Sequence, residues 1–190
     1  MVRGVNQHEQ ERVIATVVSA FISDPVERWL WREAWRYLTH FPAFVAAFGS
    51  AAFAADAVYT LEDCAAVALW IPPGAEADGD RIVTVIRDTV PAEQHADTFA
   101  VLEQMDRAHP GHPHWYLPWL AVDPCRQNVG LGARLLARGL ARVDADHLPA
   151  YLETPNPRTV PYYERHGFVV VATAQAGECP PITSMVRAAR

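Results

Sequence analysis

One glycine-bearing junction constrains this chain more than any other feature. Trp115 to Val122 is strand-like, and the turn Gln127-Asn128-Val129-Gly130-Leu131-Gly132-Ala133 follows. Residues 130–145 then place Leu131, Leu135, Leu136, Leu140 and Val143 at helical spacing, with Arg134, Arg138 and Arg142 on the other side. Glycines at a strand-to-helix turn let the backbone bend sharply and approach a ligand closely. The free N–H groups at the helix start, together with the helix dipole, favour an anion such as a pyrophosphate. Arg126 could add a charge-assisted contact. Two glycines alone are also compatible with simple packing. No Lys-Ser or Lys-Thr follows, so the turn is not a P-loop, and Leu135 stands where a dinucleotide fingerprint needs its third glycine.

The elements around this junction alternate between strand and helix. Val13, Ile14, Val17, Val18 and Phe21 recur at helical spacing. Asp24-Pro25 ends that helix and starts a second, with Asp24 as N-cap, carrying Trp29, Leu30, Trp31, Trp35, Tyr37 and Leu38. Pro42 is expected to interrupt it, leaving Ala43 to Phe48 as a further helical piece. Ala57–Thr60 and Ala65–Ile71 read as a strand pair joined by Leu61-Glu62-Asp63. Residues 75–108 read as loop and helices, with a helix over 92–108. Ala150–Glu153 is a short strand, a helix ends at Gly167, and 168–172 and 182–186 are the last strands. Thr159 either caps a helix with Pro161 in its first turn, or Pro161 bends a helix that starts near Pro157. The order predicts one α/β (α+β) domain over 1–190, with acceptor-side helices at about 7–50 and a cofactor half at about 115–170.

Composition narrows the function. The net charge is −6, against the basic face a nucleic-acid binder needs, and all 16 basic residues are arginine. No apolar run is long enough to span a membrane, and residues 1–12 are polar and mixed in charge, unlike a secretory signal. Cys64, Cys125 and Cys179 are odd in number and widely spaced, which reads as reduced thiols in a cytoplasmic protein.

The wider context of the turn resembles the GNAT acetyltransferases, whose Q/R-x-x-G-x-G/A motif lies five residues after a strand valine. Val122 and Gln127 keep that spacing after Leu120-Ala121-Val122-Asp123-Pro124. Tyr151-Leu152-Glu153-Thr154-Pro155-Asn156 and Tyr162-Tyr163-Glu164-Arg165-His166-Gly167-Phe168 resemble the family's later strand and its Y-E-x-x-G-F helix. The L-E-T and P-x-Y-E-R-x-G-F segments, with Phe21, Asp24-Pro25 and Trp29, resemble the puromycin N-acetyltransferase branch. The resemblance implies the GNAT fold: a mixed, mostly antiparallel sheet flanked by helices, opening with a strand that here is short or missing over Val2–Val5.

The resemblance also implies roles. Acetyl-CoA is the co-substrate, with its pantetheine on Leu120, Ala121 and Val122. One backbone N–H there would polarise the thioester, as fixed dipoles stabilise a developing oxyanion. The pyrophosphate falls on Gln127, Asn128, Val129, Gly130, Leu131, Gly132 and Ala133, and Asn156 contacts pantetheine. Tyr163 matches the tyrosine that protonates the departing thiolate. A phenol titrating near ~10 beside a thiol near ~8.5 suits that task; taken without the resemblance, Tyr163 reads as an aromatic packed under the sheet, and Tyr162 is its neighbour and rival. Glu153, at a strand end, is the leading general base, or a structural carboxylate; Glu33, Glu62 and Asp24 are weaker candidates. Trp29 is a candidate wall of the acceptor pocket, whereas Trp31 and Trp35 fit a core stripe. His109, His112 and His114 sit in a proline-rich loop whose rings need not converge, and no metal is expected. The arginine stripe reads as a solvated face or, less directly, a contact to a CoA phosphate. The implied activity is acetyl transfer from acetyl-CoA to a small-molecule primary amine, with no nucleic-acid or membrane partner and a homodimer possible. The alternatives are a protein N-terminal or lysine acetyltransferase and a non-catalytic acyl-CoA sensor.

Overall fold

The computed structural model describes residues 1–190, apart from the side chain of Gln7. Its helices are α1 (Gln10–Ala20), α2 (Pro25–Leu30), α3 (Ala34–Phe48), α4 (Ser50–Ala54), α5 (Gly79–Thr89), α6 (His95–Ala108), α7 (Leu131–Ala145) and α8 (Val160–Glu164). The strands are β1 (Arg3–Gly4), β2 (Val58–Leu61), β3 (Ala66–Ile71), β4 (Trp115–Val122), β5 (Ala150–Thr154), β6 (Val169–Ala174) and β7 (Ile182–Arg187). They form one sheet in the order β1-β2-β3-β4-β5-β7-β6. All neighbours are antiparallel except β4 and β5. Parallel neighbours need a crossover, and α7 supplies it. The opening strand exists but is two residues long.

The sheet is covered on both faces at its centre. Val67, Leu69 and Ile71 of β3 pack with Val13 and Val17 of α1 and Phe41 and Val45 of α3. Ala66, Ala68 and Trp70 face the opposite way, onto Leu131, Leu135, Leu136 and Leu140 of α7. Every residue of β3 is therefore buried, which is why the strand shows an apolar run in sequence rather than an alternation. Gly139 lets α7 ride directly over Trp70: a β-carbon there would stand 2.1 Å from the indole nitrogen.

Three expectations change in the N-terminal third. The break in the second helix falls at Trp31–Glu33, not at Pro42. Trp31 is fully buried, and its indole donates to Thr89 Oγ1 at 3.0 Å, which turns the chain out of helix. Pro42 lies inside α3. It deprives only the Leu38 carbonyl of a helical donor, and Leu38 sits on the exposed face where water can serve it. Trp35 is not core: it is 62% exposed, with Arg36 stacked on its ring at 5.3 Å. The stretch 75–108 holds two helices, α5 and α6, with 92–94 forming a 3-10 turn before α6. Pro161 takes the first turn of α8, and Thr159 precedes it without a capping hydrogen bond.

Candidate active site

The sheet is split where β4 leaves β5. Their pairing runs only from Trp115↔Ala150 to Leu117↔Leu152, while β4 stays paired with β3 to Val122. The next residue is Pro118, which has no N–H to continue a ladder. Asp123 N–H donates to Ala65 at 2.8 Å. Alternation along an antiparallel pair then turns the backbone groups of Leu120 and Val122 toward the gap. The Gln127 amide donates to the Val122 carbonyl at 3.1 Å, tying the turn to the edge of that gap.

At the turn, Asn128 has φ 62 and Gly130 φ 84. Asn tolerates this left-handed region, and Gly130 enters it without strain. Nothing lies within 4 Å of a β-carbon built on Gly130, so conformation rather than space selects glycine there. The first bond into α7 is Arg134 N–H to Gly130 C=O at 3.2 Å, and no side chain caps the helix. The preceding N–H groups of this 15-residue helix are free to bind an anion. Arg126 is engaged by Glu62. Arg138 and Arg142 are exposed and stack on Tyr59 and Trp115, at 4.8 and 5.6 Å.

Beyond the gap, Thr154 and Thr159 share a 2.6 Å hydrogen bond that fixes α8 against the end of β5. Asn156 Oδ1 accepts from Arg158 N–H at 3.0 Å, leaving its amide nitrogen free. Tyr162 and Tyr163 both line the cavity below. The Tyr162 hydroxyl is buried without a partner, 3.7 Å from where a β-carbon on Gly132 would stand. Burial pushes the Tyr162 phenol up to about 12, and Tyr163 is also raised by burial, with the Tyr162 charge adding to it.

A cavity of about 580 Å³ runs through the split. One end is the turn and α8; the other is walled by Phe21, Trp29, Phe44, Phe48 and Trp119. Trp119 stands edge-on to Phe21 at 5.1 Å and to Phe41 at 5.7 Å. The indole nitrogens of Trp29 and Trp119 are buried without partners. Asp24 caps α2 through Oδ1, accepting from Val26 and Glu27 N–H at 3.0 and 3.3 Å. Burial pushes its carboxyl up to about 6, against the lowering effect of those two bonds.

Glu153 lies where the two ends meet, and it also borders a second cavity lined by His109, His112 and His114. His109 and His114 converge; His112 contributes only its carbonyl. His114 Nδ1 lies 2.8 Å from that carbonyl, so it must donate. Burial lowers the His114 pKa, which favours its neutral form. Its Nε2 is then an acceptor, and His109 Nδ1 donates to it at 2.9 Å. His109 Nε2 faces Glu153 Oε1 at 3.5 Å, an oxygen otherwise buried without a partner. Tyr116 and Tyr151 flank them, both phenols raised by burial and then by the Glu153 charge. Among the described residues no group of three or more His, Cys, Asp or Glu side chains converges to hold a metal.

Most of the residues singled out in sequence therefore face one cavity: Trp29, Leu120, Val122, Gln127, Asn128, Gly130, Leu131, Gly132, Ala133, Glu153, Asn156 and Tyr163. Ala121 is turned into the core and Val129 is 65% exposed, so neither side chain lines it. Glu33 is exposed beside Arg36. Pro118 and Glu27 went unrecognised as parts of the site, because only tertiary packing brings them to it.

A split sheet with an uncapped helix start beside it offers a free strand edge and an anion site along one cavity. Residues 23–168 match the model of the Acetyltransferase (GNAT) family, and the chain belongs to that family. Among solved structures, it is similar to the histone acetyltransferase HPA2 and related acetyltransferase from Corynebacterium glutamicum. The two are 23% identical, with a TM-score of 0.70 over 100% of this chain and 96% of that one. It is also similar to a Drosophila melanogaster polyamine N-acetyltransferase that catalyses formation of N-acetylagmatine (13% identity, TM-score 0.67, 98% of each chain). A third neighbour is the NatC complex bound to Gag peptide and CoA (12% identity, TM-score 0.55, 100% of this chain and 98% of that one). Among the described residues no helix is long and apolar enough to cross a membrane.

Proposed function

We propose that the protein transfers an acetyl group from acetyl-CoA to a primary amine of a small molecule, by direct attack on the thioester. The observation that carries this reading is the split between β4 and β5, which joins an anion-binding helix start to an aromatic pocket through one cavity. The N–H groups of the Gly130–Ala133 turn suit a pyrophosphate, and the gap-facing groups of Leu120 and Val122 suit the amides of pantetheine. Acetyl-CoA supplies the activated acyl group.

The chain's own residues then divide the proton work. Glu153 takes the proton from the attacking amine, and the His109–His114 pair passes it toward the loop surface. A proton taken up by Glu153 can pass to His109 Nε2 at 3.5 Å, while His109 Nδ1 hands its own on to His114 Nε2 at 2.9 Å. Tyr163 gives a proton to the departing sulfur. The position of the Tyr162 hydroxyl beside Gly132 suits it to the phosphate end, which leaves Tyr163 for the thiolate.

The aromatic walls support a small acceptor over a polypeptide, and the polyamine-acetylating neighbour acts on a small amine. The L-E-T and P-x-Y-E-R-x-G-F segments support the puromycin N-acetyltransferase-like branch. Cys64, Cys125 and Cys179 are free thiols, which supports a reducing, cytoplasmic location. The test is thiol release from acetyl-CoA across a panel of primary amines, aminonucleosides included, with the acetylated product identified by mass. Thiol release with N-acetylated product is expected. CoA binding with no release by any amine would instead favour an acyl-CoA sensor.

A further inference from the structure

The acceptor end of the cavity contains acid groups that the transfer chemistry does not use. Glu27 of α2 is only 6% exposed, yet it lines the cavity, and its Oε2 is buried with no hydrogen-bond partner. Among the described residues no cation pairs with it. Asp24 lines the same end, and its two capping bonds both use Oδ1, leaving Oδ2 without a protein donor. Two adjacent carboxyl groups in an apolar wall are costly for a fold unless something compensates them. A glutamine or leucine would fill the same space at lower cost.

The compensating group is defined by what surrounds the acids. A metal ion would want several oxygen ligands, and two carboxyls among aromatic rings do not supply them. An organic ammonium wants a carboxylate and the faces of aromatic rings, and Phe21, Trp29 and Phe44 border the same end. We propose that Asp24 and Glu27 form a subsite for a second ammonium group of the acceptor, so that one end of a diamine is acetylated while the other is held here. This rests on the acetyl-transfer reading above and narrows its substrate class.

The subsite predicts a coupled proton. Burial, then the Asp24 charge, hold the Glu27 carboxyl well above the usual carboxylate range. Its other titratable neighbours are Tyr37 of α3 and the Cys179 thiol, both raised chiefly by burial. Arg28 is engaged with the Tyr37 ring at 5.4 Å. An arriving ammonium favours the charged carboxylates, so binding expels protons and tightens as pH rises.

The test compares α,ω-diamines, from diaminobutane to diaminooctane, with the matched n-alkylamines. The wild type should favour at least one diamine over its monoamine in kcat/KM. Glu27→Gln, which keeps shape and removes charge, should lower that ratio about tenfold or more, as expected for one hydrogen bond to a charged group. Calorimetry of hexamethylenediamine binding to the protein–CoA complex, in two buffers of different ionisation enthalpy, should show proton release that falls in Glu27→Gln. This readout needs no turnover, so it separates failure of the subsite from failure of acetyl transfer. Equal use of diamines and monoamines by the wild type, or a ratio and proton release unchanged in Glu27→Gln, would overturn the proposal.

Discussion

The face of the sheet under α7 and the face under α1, α2, α3 and α6 are assembled in different ways. On the α7 face the groups that suit CoA lie close together in sequence: Val122, the Gln127–Gly132 turn and the first turn of α7. Backbone conformation makes that site, through the positive φ of Asn128 and Gly130 and the unpaired N–H groups of the helix start. On the opposite face side chains make the site, and they come from distant segments. Glu153 meets His109, Trp119 meets Phe21, and Glu27 lies near Cys179. A backbone site recognises a constant ligand and tolerates side-chain change. A side-chain site is free to vary, which suits it to the acceptor choice of the proposed reaction. One cavity joins the two faces where Pro118 ends the β4–β5 ladder.

The largest effect separating the two faces should come from the gap itself. Tyr163→Phe is expected to lower kcat about 10²–10⁴-fold, the range for loss of a general acid, with little change in CoA affinity. Tyr162→Phe should act the other way, weakening CoA binding more than kcat. Steady-state kinetics with CoA binding measured separately checks both, and an unchanged kcat in Tyr163→Phe at every pH rules out its proposed role.

The acceptor face should next reveal itself as a cost in stability. The folded state holds the Asp24 proton to about pH 6, whereas an unperturbed carboxyl releases it near 3.8. Between those values the folded protein binds more protons than the unfolded chain, so stability falls as pH rises through the window. Asp24→Asn keeps a capping oxygen and removes the titration. Relative to wild type it should gain up to about 3 kcal/mol between pH 4 and 6, measured by denaturant unfolding. A constant difference across that range would show that Asp24 is not held protonated.

The smallest effect concerns the proton exit. His109→Phe preserves a ring packed at a tilt against Tyr151, with centroids 4.0 Å apart, and removes both nitrogens. It should lower kcat about tenfold at neutral pH, with partial rescue by added imidazole. Full activity without rescue would mean that Glu153 discharges directly to water.

The contrast between the faces also explains what was legible in sequence. The Gln127–Gly132 turn, the α7 stripe, β5 and the Asp24-Pro25 helix start are local patterns, and each appears where its residues predict it. Glu27 was invisible because a glutamate in a short amphipathic helix ordinarily faces water, and only tertiary packing buries it. The His109–Glu153 contact spans 44 positions, and the prolines of that loop suggested divergent rings. Trp31 and Trp35 share a helical face only if the helix is continuous. The break at Trp31–Glu33, made by burying Trp31, sends Trp35 to the surface. Pro42 misled for a related reason: a proline costs one helical bond, and an exposed carbonyl tolerates that loss.

The most direct test of the account is a diffraction structure of the protein with CoA. The pyrophosphate is expected on the N–H groups of Gly130 to Ala133, the pantetheine along Leu120 and Val122 inside the β4–β5 split, and the sulfur within reach of the Tyr163 hydroxyl. CoA bound elsewhere, with the split left empty, would contradict it.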